Sequence, residues 1–146
     1  MSIQNLSFVD KGITPDALNE LGPNTLAETL GIKFTHVGKT TLTATMPVDH
    51  RTHQPYGLLH GGASVALAET LGSVASSLCL DQKVQYCVGL EINANHVKSA
   101  REGIVTGIVS PIHIGKRTHI WEIRITNDKA ELICISRIAV AVIDKR

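Results

Sequence analysis

Aromatic residues are scarce in this sequence: one Trp, two Tyr and two Phe among 146 residues. So few rings leave no platform for stacking nucleic-acid bases. Charge of one sign is missing as well. Fourteen Lys and Arg oppose thirteen Asp and Glu, for a net charge of +1. That balance argues against a nucleic-acid partner, and no charge run marks a tail. Cysteine is limited to Cys79, Cys87 and Cys134, an odd number without CxxC spacing. A disulfide framework is therefore not expected, and a reducing cytoplasm suits the thiols. Long apolar runs are lacking. The least charged stretch, 61–80, still carries Gly, Ser, Thr and Glu69, too polar for a membrane span. Met1 to Lys11 has no basic region followed by an apolar one, so no secretory leader is expected. GxGxxG, P-loop, GxSxG and HExxH patterns do not occur, which removes the usual signatures of dinucleotide, nucleotide, serine-triad and zinc-peptidase chemistry.

What is present is enough apolar sequence for one domain spanning 1–146, with residues 1–24 as an N-terminal extension. Thr14-Pro15-Asp16 opens a short helix with a cap, a proline and an acid. Thr25-Leu26-Ala27-Glu28 has the form of a capping box, and Gly31 closes that second helix. Residues 32–37 and 40–47 read as strands about a turn at Gly38-Lys39, with Leu42, Ala44 and Met46 alternating against threonines. A polar loop follows, 48–60. Across 62–79 the apolar period changes to three and four, as in a largely buried helix. Residues 83–97, 103–114, 117–126 and 131–143 then read as strands with connections short enough for antiparallel pairing. The economical packing is an α+β fold, an antiparallel sheet wrapped around one long central helix. The strand at 83–97 is long enough to pair across a subunit boundary, so at least a dimer is expected.

Candidate chemistry gathers around that helix. Glu69 is the only charged residue from Gly61 to Leu80. Two readings stand: a catalytic carboxylate, or the one solvated position of an apolar helix. His60-Gly61-Gly62 leads into the helix. Open N–H groups there suit an anion or a developing oxyanion, and a flexible joint is the alternative. Gln54 and Tyr56 flank Pro55 just before. His96 shares strand parity with Val88, Leu90 and Ile92 and is expected on the apolar side, as a core or a site histidine. His50, His53 and His60 lie near one another without the partners of a metal site, so no metal is expected. Lys98 with Arg101, and Lys116 with Arg117, form basic pairs near strand ends, suited to phosphates or to solvent.

The segment from Met46 to Ser73, which includes Gln54-Pro55-Tyr56-Gly57, His60-Gly61-Gly62 and Glu69, resembles the hotdog-fold acyl-CoA thioesterases. Val88-Gly89-Leu90-Glu91-Ile92-Asn93-Ala94-Asn95-His96 and Ser110-Pro111-Ile112-His113-Ile114-Gly115-Lys116 extend the likeness to about Val142. The nearest branch holds the 1,4-dihydroxy-2-naphthoyl-CoA thioesterases and the proofreading thioesterases of enterobactin synthesis. The resemblance implies a hotdog fold, a dimer of dimers, and a site shared between subunits. It implies hydrolysis of an aromatic acyl-CoA, with a medium-chain acyl-CoA or acyl-carrier-protein substrate as the alternative. A hydratase or a non-catalytic acyl-CoA-binding module is a further alternative. By the same resemblance Glu69 is the catalytic carboxylate and Ser73 its helper. Gln54, His60 and Gly61 surround the thioester carbonyl. His96, Tyr56 and Gly62 contact substrate, while Lys98, Arg101, Lys116 and Arg117 are candidates for the coenzyme phosphates. No metal or separate cofactor is implied, since coenzyme A belongs to the substrate.

Overall fold

The computed structural model describes residues 3–146; Met1 and Ser2, at the head of the expected extension, lie outside the described residues. Two short helices, α1 (Pro15–Asn19) and α2 (Leu26–Thr29), precede strands β1 (Lys33–Val37) and β2 (Leu42–Pro47). The long helix α3 (Gly61–Leu78) follows, then β3 (Gln85–His96), β4 (Ile104–Ile114), β5 (Thr118–Thr126) and β6 (Leu132–Asp144). The six strands make one antiparallel sheet in the order β1-β2-β4-β5-β6-β3. α3 packs against β2 to β6, so the sheet curls around it. This is the expected α+β architecture.

The period-2 pattern explains β2. Leu42, Ala44 and Met46 point inward and are fully buried, while the threonines between them are half-buried. On α3 the buried residues are Ala63, Ser64, Leu67, Ala68, Leu71, Gly72, Ala75 and Ser76, a stripe of mostly small side chains. Burying Leu67 and Leu71 contributes about 1.5–3 kcal/mol each. Trp121 of β5 is fully buried against this stripe, and its indole N–H donates to Ser76 Oγ at 2.7 Å. The ring thereby fills core volume without stranding its polar atom.

At the N-terminal side the described part of the extension packs onto the core: Leu6 and Phe8 are fully buried, Leu18 nearly so, and Phe8 stacks on Trp121. Lys11 Nζ donates to Leu78 O at 2.6 Å, placing a cation at the negative end of α3. The expected capping box does not close. Thr25 Oγ1 donates backward to Gly22 O, and the Glu28 carboxylate accepts from Asn24 N–H rather than Thr25 N–H. Gly31 does end α2, with a φ of +70° that favours glycine.

β3 lies at one edge of the sheet, bonded to β6 on one flank alone. Its pairing register slips between Gly89 and Glu91. Such a bulge inserts one residue and reverses the inward parity. Before it Cys87 points inward and Val88 is exposed; after it Ile92 and Ala94 point inward. His96 therefore shares the face of Ile92, as expected, but not that of Val88 and Leu90, which are exposed.

Candidate active site

The loop between β2 and α3 is held by its own hydrogen bonds. Arg51 grips the Asp49 carboxylate at 2.6 Å and holds it far below the ordinary carboxylate range. Thr52 Oγ1 donates to Pro47 O at 2.7 Å, and His60 N–H donates to Thr52 O at 2.8 Å. Leu59 N–H donates to Ala100 O, tying the loop to the segment after β3. Within it Gln54 N–H donates to Leu58 O and Gly57 N–H to Gln54 O, closing a turn with Gly57 at a φ of +72°. Tyr56 N–H donates to Gln54 Oε1. That contact occupies the amide oxygen and leaves the Nε2 hydrogens as the outward donors. The Tyr56 side chain is 84% exposed at the loop tip, and the structure does not bring it to the other site residues.

His60 caps α3: its Nδ1 accepts from Gly62 N–H at 2.7 Å. Of the two glycine N–H groups expected to be open, Gly62 is thereby satisfied. Gly61 N–H keeps no acceptor among the described residues. The His96 ring lies against Gly61, where an added Cβ would stand 2.8 Å from its Nε2. Gln54, Gly61, His96 and Lys98 line one cavity of about 350 Å³ together with Leu58, Leu59 and Ser64. A neutral amide, a bare helix N–H and an imidazole thus meet in one place, a donor set for a carbonyl oxygen.

Glu69 is elsewhere. It is half-buried and eight residues into the helix from Gly61, about 12 Å at 1.5 Å per residue. Its Oε1 faces Gly89 of β3 and lies 3.4 Å from Ser73 Oγ, one turn on. Ser73 borders a second cavity, about 420 Å³, with Val74, Ser77, Leu78, Tyr86 and Cys87. Within one chain the donors and the carboxylate stand apart, the donors at one cavity and Ser73, beside the carboxylate, at another. Gly89 was not singled out in the sequence; only its place in an otherwise well-filled strand hinted at a close approach.

The basic residues also separate. Lys98 pairs with Glu131, and this pairing, with Asn127, holds the Glu131 carboxyl below its ordinary range. Arg101 is exposed, and its carbonyl accepts from the His53 ring at 2.8 Å. Lys116 and Arg117 sit in the turn joining β4 and β5, beside the C-terminal end of α3. The two pairs lie at opposite ends of β4, roughly 33 Å apart at 3.3 Å per residue. Among the described residues no group of three or more His, Cys, Asp or Glu is placed to hold a metal. His50 is largely exposed, His53 is bonded to Arg101, and His60 is the cap. Among the described residues no helix is long and apolar enough to cross a membrane.

A model of the thioesterase superfamily matches residues 56–134. The chain is 55% identical over 131 residues to the 1,4-dihydroxy-2-naphthoyl-CoA hydrolase of Escherichia coli, covering 90% of this chain and 96% of that protein. It is 49% identical over 130 residues to the proofreading thioesterase EntH of Cronobacter turicensis, covering 89% and 94%. Among solved structures, a mutant of thioesterase PA1618 from Pseudomonas aeruginosa superposes with a TM-score of 0.90 at 50% identity, covering 91% of this chain and 96% of that one. Thioesterase HI1161 of Haemophilus influenzae superposes at 0.87 and 48%, covering 90% and 92%. With this fold and these relatives, the chain belongs to the thioesterase superfamily, as a thioester hydrolase of the hotdog fold.

Proposed function

We propose that the protein hydrolyses an aromatic acyl-CoA to the free acid and coenzyme A, at a site built from two subunits. The observation that carries this reading is the division of the site. A reacting carbonyl needs its hydrogen-bond donors and its attacking group within about 3–3.5 Å. Gly61 N–H and Glu69 of one chain are about 12 Å apart along α3. The free flank of β3, twelve residues long with Tyr86, Val88 and Leu90 exposed, offers a pairing edge for a second copy. Pairing there sets the donors of one protomer against Glu69 of its partner. Exposed Ile104, Ile108 and Ile112 along β4 provide apolar surface for a second contact, completing a dimer of dimers.

In this site Gly61 N–H, at the positive end of α3, and the Gln54 amide donate to the thioester oxygen. They stabilise the negative charge that gathers there as the carbonyl carbon is attacked. The attack takes one of two routes. As general base, Glu69 removes a proton from water while the water oxygen bonds to the carbon. The C–S bond then breaks, and the departing thiolate takes that proton. As nucleophile, the carboxylate oxygen bonds to the carbon and expels the thiolate, and water cleaves the resulting anhydride. Ser73 orients the carboxylate or the water in either route. His96 and the half-apolar space beside Ser73, Val74 and Tyr86 receive the acyl group. The kinship to an aromatic acyl-CoA hydrolase favours a ring there. No metal or separate cofactor takes part. Free cysteines suit the reducing cytoplasm as its setting.

Steady-state kinetics over hydroxybenzoyl-CoA, dihydroxynaphthoyl-CoA and medium-chain acyl-CoAs test the reading. Aromatic thioesters are expected to show the highest kcat/KM. A preference for aliphatic chains would overturn the aromatic assignment, and hydration without cleavage would overturn hydrolysis. Lys116→Ala and Arg117→Ala are expected to raise KM for the full thioester and to spare an acyl-pantetheine. A phosphate contact at the rim binds ground and transition states alike. Lys98, already paired with Glu131, is expected to contribute less than these two.

A further inference from the structure

Gly89 lies in β3 at the start of the bulge, on the inner side facing α3. Glycine inside a strand is costly to ordering and usually marks a bulge or a close approach. Its backbone does not demand glycine: the glycines at positive φ are Gly12, Gly31, Gly57 and Gly103. Space does. A Cβ added at position 89 would collide with Glu69 Oε1 and stand 3.4 Å from Cδ and 3.6 Å from Oε2. Those three nearest atoms all belong to the Glu69 carboxyl group. The atoms that come nearest to that vacancy are therefore those of one functional group.

We propose that Gly89 is a positioning residue whose missing side chain seats the Glu69 carboxylate against the edge strand. The claim rests on the catalytic reading of Glu69 given above. Oε1 is the oxygen that meets both Gly89 and Ser73 Oγ, so strand and helix locate it together. Oε2 has no hydrogen-bond partner among the described residues and is left for water or the carbonyl carbon. With a methyl group at position 89, Oε1 must retreat by about 1 Å to regain ordinary contact. The atom that yields is the end of a flexible side chain, so the sheet is under no pressure to move. A displacement of that size at the reacting group costs on the order of 10²-fold in rate.

The experiment is Gly89→Ala, assayed with hydroxybenzoyl-CoA beside the wild type and Glu69→Gln. The expected result is a tenfold to hundredfold loss in kcat, on the scale of a displaced reacting group. KM, melting temperature and sedimentation are expected to change little. A crystal structure of Gly89→Ala is expected to show the β3–β6 register kept and the carboxylate moved. Full kcat, or an unmoved carboxylate, overturns the proposal. So does a variant that unfolds or changes its assembly, because then the strand gives way rather than Glu69. A Glu69→Gln enzyme of normal rate sinks the catalytic reading itself. An inactive Glu69→Gln beside a fully active Gly89→Ala sinks positioning alone.

Discussion

Single side chains in this protein stand out by what they lack. Glu69 stands out in the sequence because no other charge shares its helix, whereas the close approach of Gly89 to it does not, since that depends on a strand twenty residues away. His119 is the counterpart in the core. It is 2% exposed, edge-on to Trp121, and its Nδ1 has no hydrogen-bond partner. Burial lowers its pKa below the ordinary 6.5; the Gly115 carbonyl pulls upward less strongly, and His113 adds repulsion. The unfolded chain therefore binds a proton near pH 6.5 while the folded chain does not until lower pH. Over that window stability rises with pH. His119 is thus expected to favour folding fully above about pH 6.5, and this advantage is lost as pH falls toward the folded value. Urea midpoints from about pH 7.5 to about 5.5, wild type against His119→Gln, check this. Glu131 and Asp49, held low by their cations, titrate beneath that window. Parallel curves for the two proteins would show that His119 titrates alike folded and unfolded.

At the scale of elements, repeating patterns were readable and local exceptions were not. Alternation in β2 and the three-four period of α3 predict both elements to within about two residues, because burial on one face repeats along the chain. The β3 bulge shifts one pairing and leaves no periodic trace, so the parity of Val88 and Leu90 was misread while that of Ile92 was right. Thr25 and Glu28 have capping-box spacing, yet their side chains found nearer partners at Gly22 and Asn24. The start of α3 offers a clean test of an element built by one residue. His60→Ala removes the acceptor of Gly62 N–H and is expected to destabilise the fold by about 0.5–2 kcal/mol, the range for lost caps. His60→Asn keeps a short acceptor at the cap and is expected to recover most of that loss. Equal urea midpoints for the Ala and Asn variants would mean that the imidazole stabilises by packing instead.

The whole molecule decides what the chain alone leaves divided. Composition argued against the nucleic-acid and membrane readings early, and the loop-helix motif holds both the carbonyl donors and Glu69. Helical spacing separates Gly61 from Glu69 of the same chain, but neither spacing nor periodicity could show that Gln54 joins Gly61 and His96 in one cavity away from Glu69. Helix rise sets the distance at about 12 Å, and the proposed twofold pairing of the β3 edges would close it. Mixing variants tests that arrangement directly. Glu69→Gln removes the carboxylate and Gln54→Ala removes a carbonyl donor, so each homo-oligomer is slow, by about 10²-fold or more. If each site takes one residue from each chain, a hybrid dimer holds one doubly damaged site and one intact site. Random re-pairing of equal amounts makes half of the dimers hybrids, restoring about a quarter of wild-type sites. If both residues come from one chain, every site in the mixture keeps a defect and no activity returns. Unfolding and refolding the two variants together, against each refolded alone, reads the difference. Recovery near a quarter is the expected outcome, and recovery no greater than the average of the separate samples would place the whole site within one subunit.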